Sequence, residues 1–290
     1  MASTVTQRRR KRLSAGPRPW HHLRAPEAPA RFRGPGQPTA VVGHMGAPAV
    51  APPNSPEGFL AAHRLGADGI ELDLVAVRGG SVVVAHDEGV VAATTDVLPL
   101  DELENLLASP PLSATPVLLD VKSGGIERAI AAALTGARLT PRAIISTTDP
   151  RVLRALRFAS PGATRSQTFP RSRRDPQRST FSRRFAELRR PFTRALMPLI
   201  VRRAVHRHGL AAVTVNHQLV TPALAKMLRE RGVELIVWTV DDHDEARRML
   251  DLDVDVIITN DPAAILQARS EHLAREHGAH ASTAASADRT

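Results

Sequence analysis

Three carboxylates stand where carboxylates are costly. Glu71 and Asp73 lie two apart in GIELDL (69–74), and Asp120 lies in PVLLDVK (116–122), all inside apolar runs. Burying even a neutral polar group without a partner costs roughly 2–7 kcal/mol, and a charge costs more. Three such groups ask for a cation, and an all-oxygen donor set points to Mg²⁺ or Ca²⁺ rather than Zn²⁺. Side chains two apart on a strand share a face. Glu71 therefore projects with Asp73, and Asp120 with Lys122. Other polar residues gather where apolar runs end: Gly43-His44, His86-Asp87, Asn216-His217, Thr239 and Asn260-Asp261. Taken singly, each has a structural reading: a solvated edge strand for Glu71 and Asp73, an ion pair for Asp120 and Lys122, a satisfied histidine for His44. Six other histidines, His21, His22, His63, His206, His208 and His243, read as surface residues.

The elements that must position these groups are short β-branched runs: 40–44, 69–74, 81–86, 116–122, 143–147, 212–216, 235–240 and 255–260. Near-continuous apolar character marks strands buried on both faces of a parallel sheet. Helical stretches at 55–66, 126–136, 150–158, 221–232 and 242–250 separate most of them, with Thr221 as N-cap and Pro222 in the first turn. The repeated strand–helix unit predicts an α/β fold, a TIM (β/α)8 barrel, with a doubly wound open sheet as rival. The run 81–86 follows Gly79-Gly80 too closely for a crossover and reads as a hairpin insertion over 75–90.

Charge divides the chain. The net +10 comes from residues 1–38 at +8 and residues 151–210 at +14, leaving −12 for the rest. Basic appendages on an acidic body argue against a nucleic-acid-binding fold. Residues 1–38, rich in Arg and Pro, read as a disordered tail, residues 39–270 as the barrel, and 271–290 as a flexible C-terminal tail. Residues 170–208 read as a basic, partly helical insertion. Leu196, Met197, Leu199, Ile200 and Val201 lie between arginines there, as in an outer helix packed on the barrel or one resting weakly on anionic lipid. There is no cysteine, hence no disulfide or thiolate site, and no apolar run approaches the roughly 18 residues of a membrane span. The basic N-terminus lacks the apolar segment of a secretory signal. The expected location is cytoplasmic, with a peripheral membrane contact as the variant reading.

The ordered set VVGHMGAP, PPNS, GADGIELDL, VVVAHD, VLLDVK, IVWTVDD and DVIITNDP, over about residues 40–266, resembles the glycerophosphodiester phosphodiesterase family. The resemblance implies a TIM barrel whose hairpin insertion carries the second histidine. It implies His44 and His86 as the general acid/base pair and Glu71, Asp73 and Asp120 as metal ligands. Lys122 then lies near the phosphate and Trp238 at the barrel mouth. Three positions depart from the family pattern: Met45 replaces an arginine, Pro53 an acidic residue, and Asp120 the commoner glutamate. Asp120-Val-Lys is also similar to the sphingomyelinase D-like relatives on the same barrel. The implied reaction is metal-dependent hydrolysis of glycerophosphodiesters to sn-glycerol 3-phosphate and an alcohol. A phospholipase acting on phospholipid, and a barrel that binds ligand without catalysis, are the alternatives.

Overall fold

The computed structural model describes residues 29–77, 79–93, 97–170 and 180–287. The first half runs β1 (Ala40–Gly43), α1 (Pro56–Arg64), β2 (Gly69–Ala76), β3 (Val82–Val84), α2 (Glu88–Ala93), β4 (Leu98–Pro99), α3 (Leu100–Ala108), β5 (Val117–Val121) and α4 (Glu127–Gly136). The second runs β6 (Ala143–Thr147), α5 (Pro150–Ala159), β7 (Thr164–Phe169), α6 (Thr180–His208), β8 (Ala212–Asn216), α7 (Pro222–Arg229), β9 (Glu234–Trp238), α8 (His243–Asp251), β10 (Val256–Thr259) and α9 (Pro262–Ala287). Eight parallel strands pair in the order β1-β10-β9-β8-β7-β6-β5-β2, and β2 returns to β1 through Val42↔Gly69 and Gly43↔Ile70. The sheet is closed. That makes it a TIM barrel and excludes the open doubly wound sheet. β3 pairs antiparallel with β2, and β4 with β3, so the hairpin insertion stands where the sequence places it.

Closure explains the unbroken apolar runs. Ala40, Val42, Leu118, Ile144, Ala212, Ile236, Val256 and Ile258 fill the barrel interior. Their neighbours Val41, Val213, Val237 and Ile257 face outward against the helices. Both faces of each strand are dry, so alternation disappears.

β7 is a barrel strand that the sequence reading did not find. TRSQTF has one apolar residue, because its inward positions, Thr164, Ser166 and Thr168, are polar. Ser166 shares a 2.8 Å hydrogen bond with Thr214 on β8, and the Ala30 amide donates to Thr164 Oγ1 at 2.7 Å. α3 was likewise not anticipated.

The barrel floor is made by residues assigned to the N-terminal tail. Ala30 and Phe32 are buried. The Phe32 ring occupies the space a side chain at Gly69 would need: an added Cβ would lie 2.4 Å from Phe32 Cε1. The Phe32 and Arg33 amides donate to Glu234 Oε1 at 2.9 and 3.1 Å, and Arg33 also pairs with Asp253. Residues 1–28 lie outside the described residues. The C-terminal stretch read as a flexible tail is helical as far as Ala287, a continuation of α9, which is anchored by buried Ile265 and Ala268 and by an Arg269–Asp68 ion pair. The Ala-rich composition that reads as loose also has high helix propensity.

Burial pushes the Glu234 carboxyl up to about 7, against the two amide bonds that favour its charged form. A raised folded value means the folded chain holds a proton that the unfolded chain gives up near pH 4.5. Stability from this group is present below that pH and is lost as pH rises to about 7. The full loss is about 3 kcal/mol. Urea denaturation at pH 5 and pH 8 should show this decline in the wild type and a flatter profile in Glu234→Gln. Identical profiles would contradict the assignment.

Candidate active site

The C-terminal ends of the barrel strands gather the polar residues singled out in the sequence. Asp73 and Asp120 are register partners on adjacent β2 and β5, one position above the Leu72–Leu119 pair. Glu71, two residues below Asp73, points the same way. All three are buried, and one oxygen from each lies within 4.8 Å of the others. Lys122 Nζ sits 2.5 Å from Asp120 Oδ2 and 2.8 Å from Asp73 Oδ1. One lysine against three carboxylates leaves negative charge uncompensated in a dry site. The electrostatics agree: burial, then the Asp73 charge, holds the Glu71 carboxyl well above its usual range. Burial lowers the Lys122 ammonium, but the attraction of Asp120 and Asp73 outweighs it and raises the group overall.

Neighbouring groups fix the three carboxylates in place. Glu71 Oε2 accepts the Met45 amide at 2.9 Å. Met45 has φ 47°, and this left-handed turn aims its N–H back at the strand. The position thus contributes main chain to the carboxylate cluster, a role indifferent to the arginine-to-methionine departure. Asn54, also at positive φ, clamps Asp73: its Nδ2 donates to Asp73 Oδ2 at 2.9 Å and its Oδ1 accepts the Asp73 amide at 3.2 Å. Ser146 Oγ donates to Asp120 Oδ1 at 2.7 Å. Asp73 Oδ1 is buried and has no hydrogen bond of acceptable angle, despite its closeness to Lys122. A hard cation takes oxygen donors, and this set, with one oxygen lacking a donor, fits one.

His44 follows β1. Its Nδ1 is 2.8 Å from Asn260 Oδ1. Asn260 is itself oriented by Asp241, which accepts from Asn260 Nδ2 and from the Asn260 amide, both at 2.7 Å. With its amide fixed this way, Asn260 presents oxygen to His44, which therefore carries its proton on Nδ1 and turns Nε2 toward Glu71, 3.9 Å from Oε2. His86 is placed differently. The Ala85 amide donates to Asp73 O at 3.1 Å, which stands the end of the hairpin at the mouth. The His86 side chain is 57% exposed and pairs with Asp87, 3.3 Å away. The structure brings His44, Glu71, Asp73, Asp120 and Lys122 together and sets His86 on the rim. Trp238 follows β9 into the interior cluster, and its Nε1 is buried without a partner. The sequence reading assigned no role to Asn54, Asp241 or Ser146. PPNS was the one signal for Asn54, and the WTVDD motif the one for Asp241.

A closed parallel barrel with its ionisable groups at the C-terminal mouth is the architecture of a TIM-barrel enzyme. The model of the glycerophosphoryl diester phosphodiesterase family matches residues 44–108 and 111–264. This chain belongs to that family. A glycerophosphodiester phosphodiesterase of Caldanaerobacter subterraneus subsp. tengcongensis is 27% identical over 259 residues, covering 79% of this chain and 96% of the relative. Two solved structures share the fold. One is a glycerophosphodiester phosphodiesterase of Agrobacterium tumefaciens (TM-score 0.56, 20% identity, 78% of this chain and 98% of that one). The other is an Oleispira antarctica phosphodiesterase in complex with the product sn-glycerol-3-phosphate (TM-score 0.58, 15% identity, 79% and 96%).

Proposed function

We propose that this protein hydrolyses glycerophosphodiesters to sn-glycerol 3-phosphate and an alcohol. The observation that carries the reading is the cluster of Glu71, Asp73 and Asp120, buried beside one lysine and one oriented histidine in a member of this family. Glu71, Asp73 and Asp120 would hold Mg²⁺ or Ca²⁺, which when bound supplies positive charge to the phosphate. Lys122 adds a fixed cation at the same wall. His44, held through Asn260, offers Nε2 for proton transfer, and His86 serves as its partner from the rim. One takes the proton of the attacking water or of a neighbouring substrate hydroxyl, and the other returns a proton to the leaving alkoxide oxygen. Such steps contribute about 10²–10⁴ each. Trp238 lines the mouth as a substrate contact.

The test is product analysis with glycerophosphocholine. Equal amounts of choline and sn-glycerol 3-phosphate are expected. Turnover of sphingomyelin or lysophosphatidylcholine with no turnover of glycerophosphocholine would instead support the phospholipase reading. Absence of turnover on all three, with binding retained, would leave a ligand-binding barrel. We further infer that the protein works in the cytoplasm. No described helix is long and apolar enough to cross a membrane, and the basic 170–208 segment suits contact with a lipid surface.

A further inference from the structure

We propose that α6 carries a docking face for anionic bilayers, in which Phe192, Leu196 and Ile200 enter the lipid and the surrounding arginines meet its headgroups, so that the flank of the barrel beside its mouth lies on the membrane. The proposal rests on the reading of a phosphodiesterase working at a lipid surface, and it names the face, the residues and the orientation.

α6 does two jobs along its length. Its C-terminal half is an ordinary outer helix of the barrel: Met197 and Val201 are buried against the β8–α7 layer. An outer helix runs antiparallel to the strands, so the N-terminal half of α6 points toward the catalytic mouth. Arg194 marks the level of the rim, because its Nη2 donates to the carbonyl of Val220, just past the end of β8. Residues 180–193 of the helix lie on the mouth side of that contact. At 1.5 Å per residue this is about 20 Å of helix beyond what the barrel needs.

The face turned away from the barrel is apolar from the rim down along the flank. Phe192 is 76% exposed, Leu196 53% and Ile200 38%, an i, i+4, i+8 stripe opposite Val201. Six large apolar side chains stand exposed among the residues whose side chains are described, which within α6 begin at Arg190, and three of the six are in this stripe. A helix serving only as barrel cladding has no use for a second apolar face. The charge around the stripe selects its occupant. Arg202, Arg203 and Arg207 are exposed below it. The sequence that leads into the stripe, residues 171–190, adds eight arginines against Asp175 and Glu187. Two copies meeting through this face would oppose arginine to arginine, which disfavours self-association. An apolar stripe rimmed by cations is complementary to an anionic bilayer, where each nearby basic residue adds attraction that salt screens. Charge steering and apolar insertion together make the two signals that peripheral attachment requires.

The full chain is sedimented with neutral phosphatidylcholine vesicles and with vesicles containing phosphatidylglycerol, at low and high salt, alongside Phe192→Ser/Leu196→Ser/Ile200→Ser. Binding at least tenfold stronger to the anionic vesicles, weakened by salt, is expected for the wild type. The triple variant should lose at least tenfold of it while hydrolysing soluble glycerophosphocholine at the wild-type rate, which also shows that it folds. Phe192→Ala alone, with a smaller loss, replaces the triple variant should that one not fold. Equal binding to both vesicle types, or unchanged binding by the variants, overturns the proposal. So does a wild-type dimer that the triple variant dissociates in the absence of vesicle binding, which assigns the face to a second copy. Vesicle binding without hydrolysis of any diester would instead sink the catalytic reading and leave the docking face standing.

Discussion

Glu71→Gln and Asp120→Asn are each expected to remove turnover by about a thousandfold or more, roughly 4 kcal/mol of transition-state stabilisation. Both changes keep shape and delete one negative charge from a site that has three carboxylates and one ammonium. The divalent cation loses a ligand and half of the excess charge that attracts it, so its affinity falls together with the rate. The fold responds in the opposite sense. Glu71 is buried beside Asp73 and Asp120, and a neutral side chain there relieves like-charge repulsion and a desolvation cost. In chelator, Glu71→Gln should melt at or above the wild-type temperature. Titration calorimetry, thermal melts and rates on one preparation separate these effects. A variant that still turns over fully without metal would refute the role given to the carboxylates.

The histidines give the second large effect. His44→Ala and His86→Ala should each lower kcat by about 10²–10⁴. The double variant should cost little more than the worse single one, because groups in one proton-transfer unit are not additive. The two sites differ in support. His44 is half-buried and held by the Asp241–Asn260 relay, whereas His86 stands on the rim with only its neighbour Asp87 to orient it. Losses at His44 are therefore expected to be the steeper. Steady-state kinetics at saturating substrate and metal check this. A near-wild-type rate in either single variant would remove that histidine from the reaction.

Much of the fold and most of the site were legible because buried parallel strands announce themselves by unbroken β-branched runs. A carboxylate inside such a run is conspicuous by its cost. The strand–helix repeat and the gathering of Glu71, Asp73, Asp120 and Lys122 follow from that contrast, the hairpin at 75–90 follows from the close Gly79-Gly80 spacing, and closure of the sheet, which apolar runs leave open between barrel and doubly wound sheet, is implied by the resemblance. Where the contrast fails, so does the reading. β7 hides because Thr164, Ser166 and Thr168 line the interior in place of aliphatics. The floor residues Ala30 and Phe32 hide in an Arg/Pro-rich stretch, since one aromatic anchor makes no period. Asn54, Ser146 and Asp241 act only through partners brought near by the fold, and single-sequence spacing carries no trace of those approaches. Met45 departs from the family's arginine in side chain only, because the structure uses its main-chain N–H to hold Glu71.

Metal dependence is the step on which the proposed glycerophosphodiester hydrolysis stands or falls. It is measured as release of sn-glycerol 3-phosphate from glycerophosphocholine by chelator-stripped protein, before and after adding back Mg²⁺ or Ca²⁺. Negligible release is expected after stripping, with restoration by one of the two ions and no restoration in Asp120→Asn. Equal release with and without metal, or no release under any of these conditions, would contradict it.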